Sequence, residues 1–277
     1  MTRLIVNGVG LNVEVHGNGP AVLALHGFTG STSTWAGLVQ AAQDKYTLIL
    51  VDLLGHGESD SPDDPERYLM ERCIADLMGV LDYLKLQRAC FLGYSMGARI
   101  ALSAAAAATE RCATLILEGG SPGLANHEER AQRIKSDSEL ASFVGEHGIE
   151  LFVDRWEQVP LFASQAQLSP PVRRLLRSQR LQNNPKGLAN SLRGIGTGMQ
   201  PPLHHELPSL AMPVLCIAGE LDSRYTAIAE EMCRALPDGH LAIIPRAGHN
   251  THLEQPEFFN QVVLGFLDSL SPRGNSS

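Results

Sequence analysis

The sequence predicts an α/β protein with a mostly parallel central sheet, helices on both faces and a helical lid insertion. Short apolar runs alternate with helical patterns in the first part of the chain, and the same alternation resumes near its end. Between these parts there is no strand pattern. Alternation of this kind is typical of a buried parallel sheet covered by helices.

The elements follow in order. A hairpin around Asn7–Gly10 opens the chain, and buried strands then alternate with amphipathic or alanine-rich helices. The predicted strands are Arg3–Val6, Leu11–His16, Ala21–Leu25, Tyr46–Asp52, Ala89–Gly93, Ala113–Glu118, Pro213–Gly219 and His240–Ile244. The predicted helices are Glu71–Leu84, Met96–Ala108, Thr226–Leu236 and Pro256–Leu270.

The middle of the chain differs in pattern and in charge. Residues 127–193 hold ten Lys or Arg against eight Asp or Glu, a balance of +2, whereas the remainder holds 12 against 22, a balance of −10. Pockets of parallel sheets open at the carboxyl ends of the strands, where an insertion can cover them. We therefore predict a core of residues 1–122 and 208–277 and a helical cap of residues 123–207, which carries positive charge over a site.

Composition excludes several classes of protein. The net charge of −8 over 277 residues argues against a nucleic-acid partner, which needs a basic footprint. Five scattered cysteines without a C-x-x-C pair indicate thiols in a reducing compartment. No signal-peptide run and no stretch of about 20 apolar residues is found. We expect a cytoplasmic monomer or homodimer without membrane contact.

A candidate nucleophile lies in LGYSMGAR, at the spacing Gly93-x-Ser95-x-Gly97. A predicted strand precedes Ser95 and a predicted helix follows it, which is the context of a nucleophile elbow. A serine hydroxyl needs a histidine to take its proton and a carboxylate to orient that histidine. The sequence must therefore supply both partners.

His249, in a glycine-containing loop after the last strand, is the predicted base, and His252 is its competitor. Asp222, just beyond the strand Pro213–Gly219, is the predicted acid; Glu220 and Glu118 are its rivals. The order Ser, Asp, His fits this assignment. An H-x-x-H pair without H-E-x-x-H or a cysteine pair predicts no metal site.

Two backbone N–H groups complete the predicted site. The turn His26-Gly27 follows a strand and presents the N–H of Phe28, and Met96 follows the serine directly. Such a pair forms an oxyanion hole. The glycine-rich loop after Asp52 is interpreted as structural.

With these motifs the chain resembles the α/β-hydrolase superfamily over nearly its whole length. A narrower resemblance is to the 2-succinyl-6-hydroxy-2,4-cyclohexadiene-1-carboxylate synthases, which are lyases of menaquinone biosynthesis. The segments that carry it are GYSMGAR, LEGGSPGL, ERAQR, RWEQVPLFAS, LRSQRLQNN, GELDSRY and PRAGHNTHLEQP. Ser121 departs from the family pattern, which leaves individual substrate contacts open.

This resemblance implies a reaction without hydrolysis and without a cofactor. A proton beside a ketone is abstracted, pyruvate leaves, and a diene remains. It implies that Ser95, Asp222 and His249 act together, with Ser95 as base. The positions that match substrate-binding residues of the family are Tyr94, Arg99, Arg133, Trp156 and Arg180.

The chemistry of a small polycarboxylate substrate agrees with these residues, because a planar guanidinium binds a carboxylate bidentately. Alternatives remain. Arg130 competes with Arg133, Trp156 fits a packed cap equally well, and Arg173 and Arg177 are predicted to be solvated. A serine hydrolase for a carboxylate-bearing substrate, and a non-catalytic ligand-binding sensor, are the competing functions.

Overall fold

The computed structural model describes residues 2–270, and an eight-stranded sheet lies at its centre in the order β1-β2-β4-β3-β5-β6-β7-β8. Pairs β1–β2 and β2–β4 are antiparallel, and all other neighbours are parallel. The predicted mostly parallel sheet is therefore confirmed. The strands are β1 (Thr2–Val6), β2 (Val9–His16), β3 (Ala21–Leu25), β4 (Thr47–Val51), β5 (Ala89–Tyr94), β6 (Cys112–Glu118), β7 (Val214–Gly219) and β8 (Gly239–Ile244).

Helices cover both faces, which explains why the central strands are continuous apolar runs. One apolar cluster lies between the sheet and α2 and α3, and a second lies between the opposite face and α1 and α9. Short 3₁₀ segments connect several elements. The helices are α1 (Ala36–Ala42), α2 (Met70–Tyr83), α3 (Met96–Ala107), α4 (His127–Trp156), α5 (Pro170–Leu181), α6 (Pro185–Ile195), α7 (Ser223–Ala235), α8 (Thr251–Glu254) and α9 (Pro256–Leu270).

The opening hairpin is tighter than predicted. Asn7 and Gly8 alone form the turn, with φ of 49° and 82°, while Val9 and Gly10 pair with β1 as part of β2. A two-residue turn with positive φ at both positions matches the right-handed twist of the flanking strands. The predicted four-residue turn is corrected to this Asn-Gly turn.

Between β6 and β7 the described chain contains helices and loops and no strand. Helix α4 bends at Gly148, whose φ of 78° interrupts the helical geometry. Its second half packs against α6 through a separate apolar cluster that includes Phe152, Val153 and Leu188. Phe28, from the loop after β3, contacts Phe152 at 6.1 Å between ring centroids. The helical segment therefore lies over the carboxyl edge of the sheet.

Strand register brings the loop starts together at this edge. Leu25 pairs with Gly93, and Tyr94 pairs with Glu118, which in turn pairs with Ile217. Four loops therefore begin side by side, and the side chains predicted to do chemistry lie on or next to them. None of the helices described is long and apolar enough to cross a membrane.

His56, in the loop after β4, makes the stability of the fold sensitive to acid. It is buried, its Nε2 has no partner in residues 2–270, and burial lowers its pKa to about 3. The unfolded chain binds this proton near pH 6.5, so the native state loses stability as the pH falls from 6.5 towards 3. We expect His56→Leu to reduce the pH slope of the unfolding free energy by about 1.4 kcal/mol per pH unit in that window.

Urea unfolding at pH 6, 5 and 4 measures this slope. The exposed His204 provides the matched control, and His204→Leu should leave the slope unchanged. A His56→Leu variant with the wild-type slope would show that the histidine is protonated in the native state.

Candidate active site

Ser95 lies in a sharp turn between β5 and α3. Its φ of 50° and ψ of −106° are strained for a residue with a side chain. A Cβ at Gly93 would meet the backbone of Gly97, and a Cβ at Gly97 would meet the carbonyl oxygen of Leu25. Glycine at both positions is therefore what allows the helix to start so close to the sheet, and it leaves the serine at the strand end.

His249 connects Ser95 to Asp222. Its Nε2 lies 2.9 Å from Ser95 Oγ, and its Nδ1 lies 2.8 Å from Asp222 Oδ2. His249 and Asp222 are buried, with exposures of 2% and 9%. Asp222 precedes α7, and its Oδ1 accepts a hydrogen bond from the backbone N–H of Tyr225 at 3.2 Å. This arrangement can move a proton from the serine to an imidazole that a carboxylate orients.

The rival carboxylates bind elsewhere. Glu118 is fully buried and accepts hydrogen bonds from the Thr251 hydroxyl at 2.6 Å and from the backbone N–H of His252 at 2.9 Å. It also lies 2.8 Å from Nδ1 of His252. Glu220 accepts from the backbone N–H of Arg246 at 2.8 Å. His252 is thus the partner of Glu118 and is turned away from Ser95.

A carboxylate outside the predicted site, that of Glu254, holds the loop that carries His249. Glu254 accepts hydrogen bonds from the backbone N–H groups of Gly248, at 2.7 Å, and Asn250, at 3.2 Å. These residues lie on either side of His249. No motif in the sequence singles out Glu254, because its partners are main-chain groups that a loop brings back to it.

Two residues with unpaired backbone donors line the same cavity as Ser95. Phe28 lies in the turn after β3, and Met96 is the first residue of α3; neither backbone N–H has an acceptor in the described chain. Both residues line the cavity. His26 supports the turn, since its Nδ1 lies 2.7 Å from the Gly27 carbonyl and its Nε2 accepts from the Leu53 N–H. Burial lowers the pKa of His26 and keeps it neutral.

The cavity at Ser95 has a volume of about 90 Å³. Four of the five predicted substrate-binding residues line it: Tyr94, Arg99, Arg133 and Trp156. Arg180 does not. It lines a neighbouring cavity of about 290 Å³ that shares Tyr94 and Trp156 with the first.

Arg99 brings a permanent charge into this small space. The residue is 7% exposed, and its guanidinium donates to the carbonyl oxygen of Ile195 at 2.9 Å. Burial lowers its pKa to about 10, so it stays charged at neutral pH. Arg133 lines the cavity and pairs with Asp137 at 2.8 Å, whereas Arg130 binds the carbonyl oxygen of Gly198. Between these two rivals, the structure places Arg133 at the cavity.

Arg180 is buried at the end of α5. It pairs with Glu157 at 3.3 Å, donates to Gln165 Oε1 at 3.0 Å and lies over the ring of Phe162. Burial lowers its pKa. The Arg177 side chain is 38% exposed, as predicted for a solvated position, and it also pairs with Asp154 at 2.6 Å and Glu157 at 2.7 Å.

Aromatic contacts complete the wall of the cavity. Trp156 is half-buried among Phe28, Phe152 and Phe162, so it packs the helical segment and lines the cavity at once. The Tyr94 hydroxyl donates to Asn250 Oδ1, and burial raises the pKa of this phenol. Trp156 therefore belongs both to the packed helical segment and to the wall of the cavity.

A relay of a serine with a buried histidine and aspartate, at the carboxyl edge of a mostly parallel sheet, is typical of the α/β hydrolases. No group of His, Cys, Asp and Glu side chains suited to a metal ion occurs in the part of the chain that the structure describes. Comparison with known proteins agrees with this class. Residues 20–256 match the alpha/beta hydrolase fold family.

Closer relatives share one name. A Bacillus subtilis (strain 168) protein, provisionally named 2-succinyl-6-hydroxy-2,4-cyclohexadiene-1-carboxylate synthase, is 44% identical over 94% of this chain and 96% of its own. The Escherichia coli (strain K12) protein of that name is 36% identical, over 86% and 89%. The structure of MenH from S. aureus matches with a TM-score of 0.90 and 33% identity, over 97% and 99%. The chain belongs to the alpha/beta hydrolase family and, within it, to the family of these synthases.

Proposed function

We propose that the chain is a carbon–oxygen lyase that eliminates pyruvate. Its substrate is 2-succinyl-5-enolpyruvyl-6-hydroxy-3-cyclohexene-1-carboxylate, and its product is 2-succinyl-6-hydroxy-2,4-cyclohexadiene-1-carboxylate. The observation that carries this proposal is the buried guanidinium of Arg99 in the cavity of Ser95. A neutral ester has no use for that charge, whereas a substrate with three carboxylates does.

The proposed reaction begins at the ring carbon that carries the succinyl ketone. Ser95 Oγ takes the proton of this carbon while its own hydroxyl proton passes to His249 Nε2, and Asp222 stabilises the imidazolium. The electron pair moves through the ring and expels the enolpyruvyl oxygen, which leaves two conjugated double bonds. The released enolate takes the proton held by His249 and becomes pyruvate, so the relay returns to its first state without a cofactor.

Negative charge develops on the ketone oxygen during this abstraction. Phe28 and Met96 line the cavity, and their unpaired N–H groups would stabilise that charge as an oxyanion hole does in acyl transfer. The same apparatus serves an esterase, which is why the relay alone does not separate the two functions.

We assign the substrate carboxylates to Arg99, Arg133 and Arg180, with Tyr94 and Trp156 packing on the ring. Residues 123–207 act as the cap that brings Arg133, Trp156 and Arg180 to the core. The same proposal places the protein in the cytoplasm, as a monomer or homodimer, in agreement with five free thiols in the described chain.

The test compares two substrates of one purified protein. With the enolpyruvyl compound we expect pyruvate release, followed through lactate dehydrogenase and NADH, and with p-nitrophenyl acetate we expect only slow turnover. Rapid ester turnover with a burst, together with no pyruvate at stoichiometric substrate, would favour the serine hydrolase. Ligand binding without turnover of either compound would indicate the sensor.

Glu254 gives a prediction about positioning. In Glu254→Gln one N–H group beside His249 loses a charged acceptor, a bond of about 1.5–3 kcal/mol. We expect kcat for pyruvate release to fall about tenfold or more, with KM unchanged because the arginines are untouched. The exposed Glu257 on α9 supplies the control Glu257→Gln. A rise in KM with constant kcat would contradict a role in placing the base.

A further inference from the structure

A third cavity, of about 540 Å³, lies on the helical segment away from Ser95. Its lining brings together the end of α4, the 3₁₀ segment Pro160–Gln167 and one face of α5. It shares Phe162 with the Ser95 cavity, and it shares Phe162, Leu176 and Arg180 with the cavity of about 290 Å³. Phe162 therefore separates it from the relay, where this ring lies 6.3 Å from that of His249.

The charges of this cavity are unbalanced. Four guanidinium groups line it, those of Arg173, Arg174, Arg177 and Arg180, against the single carboxylate of Glu157. Arg177 also pairs with Asp154, which does not line the cavity, so four positive charges meet two negative charges and leave +2. Glu157 is shared by Arg177 and Arg180, while the side chains of Arg173 and Arg174 have no ion-pair or hydrogen-bond partner in residues 2–270.

A buried donor points to a missing acceptor. Gln165 lines this cavity, is 7% exposed, and its buried Nε2 has no partner in the described structure. Buried polar atoms are nearly always hydrogen-bonded, so this unpaired amide favours a ligand with acceptor oxygens. Glu157 already shows that a carboxylate fits between these guanidiniums.

The remaining wall is apolar, formed by residues such as Val159, Pro160 and Ala163. An apolar wall suits a carbon skeleton better than a bare inorganic ion, and guanidinium groups suit carboxylates. We propose that this cavity is a second binding site, separate from the relay, for a small organic polycarboxylate. This proposal goes beyond the proposed function, because a binding measurement tests it without any turnover of substrate.

Citrate is the probe, titrated calorimetrically into the full chain at low salt. We expect Arg173→Ala/Arg174→Ala to bind citrate about tenfold or more weakly than the wild type, which is about 1.4 kcal/mol. Alanine is a good helix former, so exposed positions of α5 tolerate this change. The control Arg72→Ala/Lys135→Ala removes two exposed positive charges elsewhere and should bind within about twofold of the wild type.

A variant at the relay cavity separates the two sites. The Arg99→Met variant should still bind citrate at the cavity of about 540 Å³. The wild type should bind inorganic phosphate more weakly than citrate. Three results overturn the proposal: no citrate binding by the wild type, equal weakening in both double variants, or a loss confined to Arg99→Met. Phosphate binding as tight as that of citrate would contradict the organic ligand.

Discussion

Replacing His249 with alanine is expected to lower kcat for pyruvate release by about 10³-fold. General acid–base catalysis by a positioned side chain contributes about 10²–10⁴-fold, and here the side chain lies 2.9 Å from Ser95 Oγ and 2.8 Å from Asp222 Oδ2. KM should change little, because the guanidiniums that bind the substrate stay in place. Initial rates over a range of substrate concentrations separate the two constants.

His252 supplies the matched control for this variant. It lies three residues further on, and its Nδ1 meets Glu118 rather than Asp222. His252→Gln keeps a hydrogen-bond donor for that buried carboxylate, so we expect less than about a tenfold change in kcat. If His249→Ala kept most of the wild-type kcat, the relay would play no part in the reaction.

The second large effect is expected at Arg99. Arg99→Met keeps the volume of the side chain but removes the charge, and we expect KM to rise about 100-fold, since truncating one partner of a buried charge pair costs about 2–5 kcal/mol. Arg99→Lys should recover only part of this loss, because an ammonium lacks the planar fork that meets a carboxylate. Thermal unfolding of both variants checks that the fold is intact.

An unchanged KM in Arg99→Met would remove Arg99 from the substrate site. It would also remove the observation on which the lyase proposal rests, and a hydrolase for neutral esters would then be favoured. Arg99 donates to the carbonyl oxygen of Ile195 in the helical segment. A lower melting temperature in both variants alike would therefore indicate that Arg99 also stabilises the fold.

Much of the fold follows from local pattern. The helix Pro256–Leu270 has the predicted bounds, and most other elements differ from prediction by one to three residues. Periodicity identifies such segments because each buries one face or both. Helix α1 (Ala36–Ala42) was not predicted, since seven residues with three alanines and a glycine carry little periodic signal.

The site was harder to predict where choices depend on loops. His249 and His252 differ by one helical turn, and nothing local shows that Glu118, 131 positions or more away, takes the second of them. Similarly, Arg177 pairs with Asp154 and Glu157, and neither segment alone predicts that the two would pack together. Motif spacing predicts which residue types meet, whereas tertiary packing decides which partner each one binds.

We propose that this relay eliminates pyruvate rather than hydrolysing an ester. A single-turnover reaction of the wild-type chain with the enolpyruvyl substrate, with pyruvate and diene absorbance followed together, distinguishes the two reactions. We expect both products to appear at the same rate and in equal amounts, and we expect His249→Ala to form neither on that time scale. Pyruvate without diene, or no pyruvate at all, would contradict the elimination.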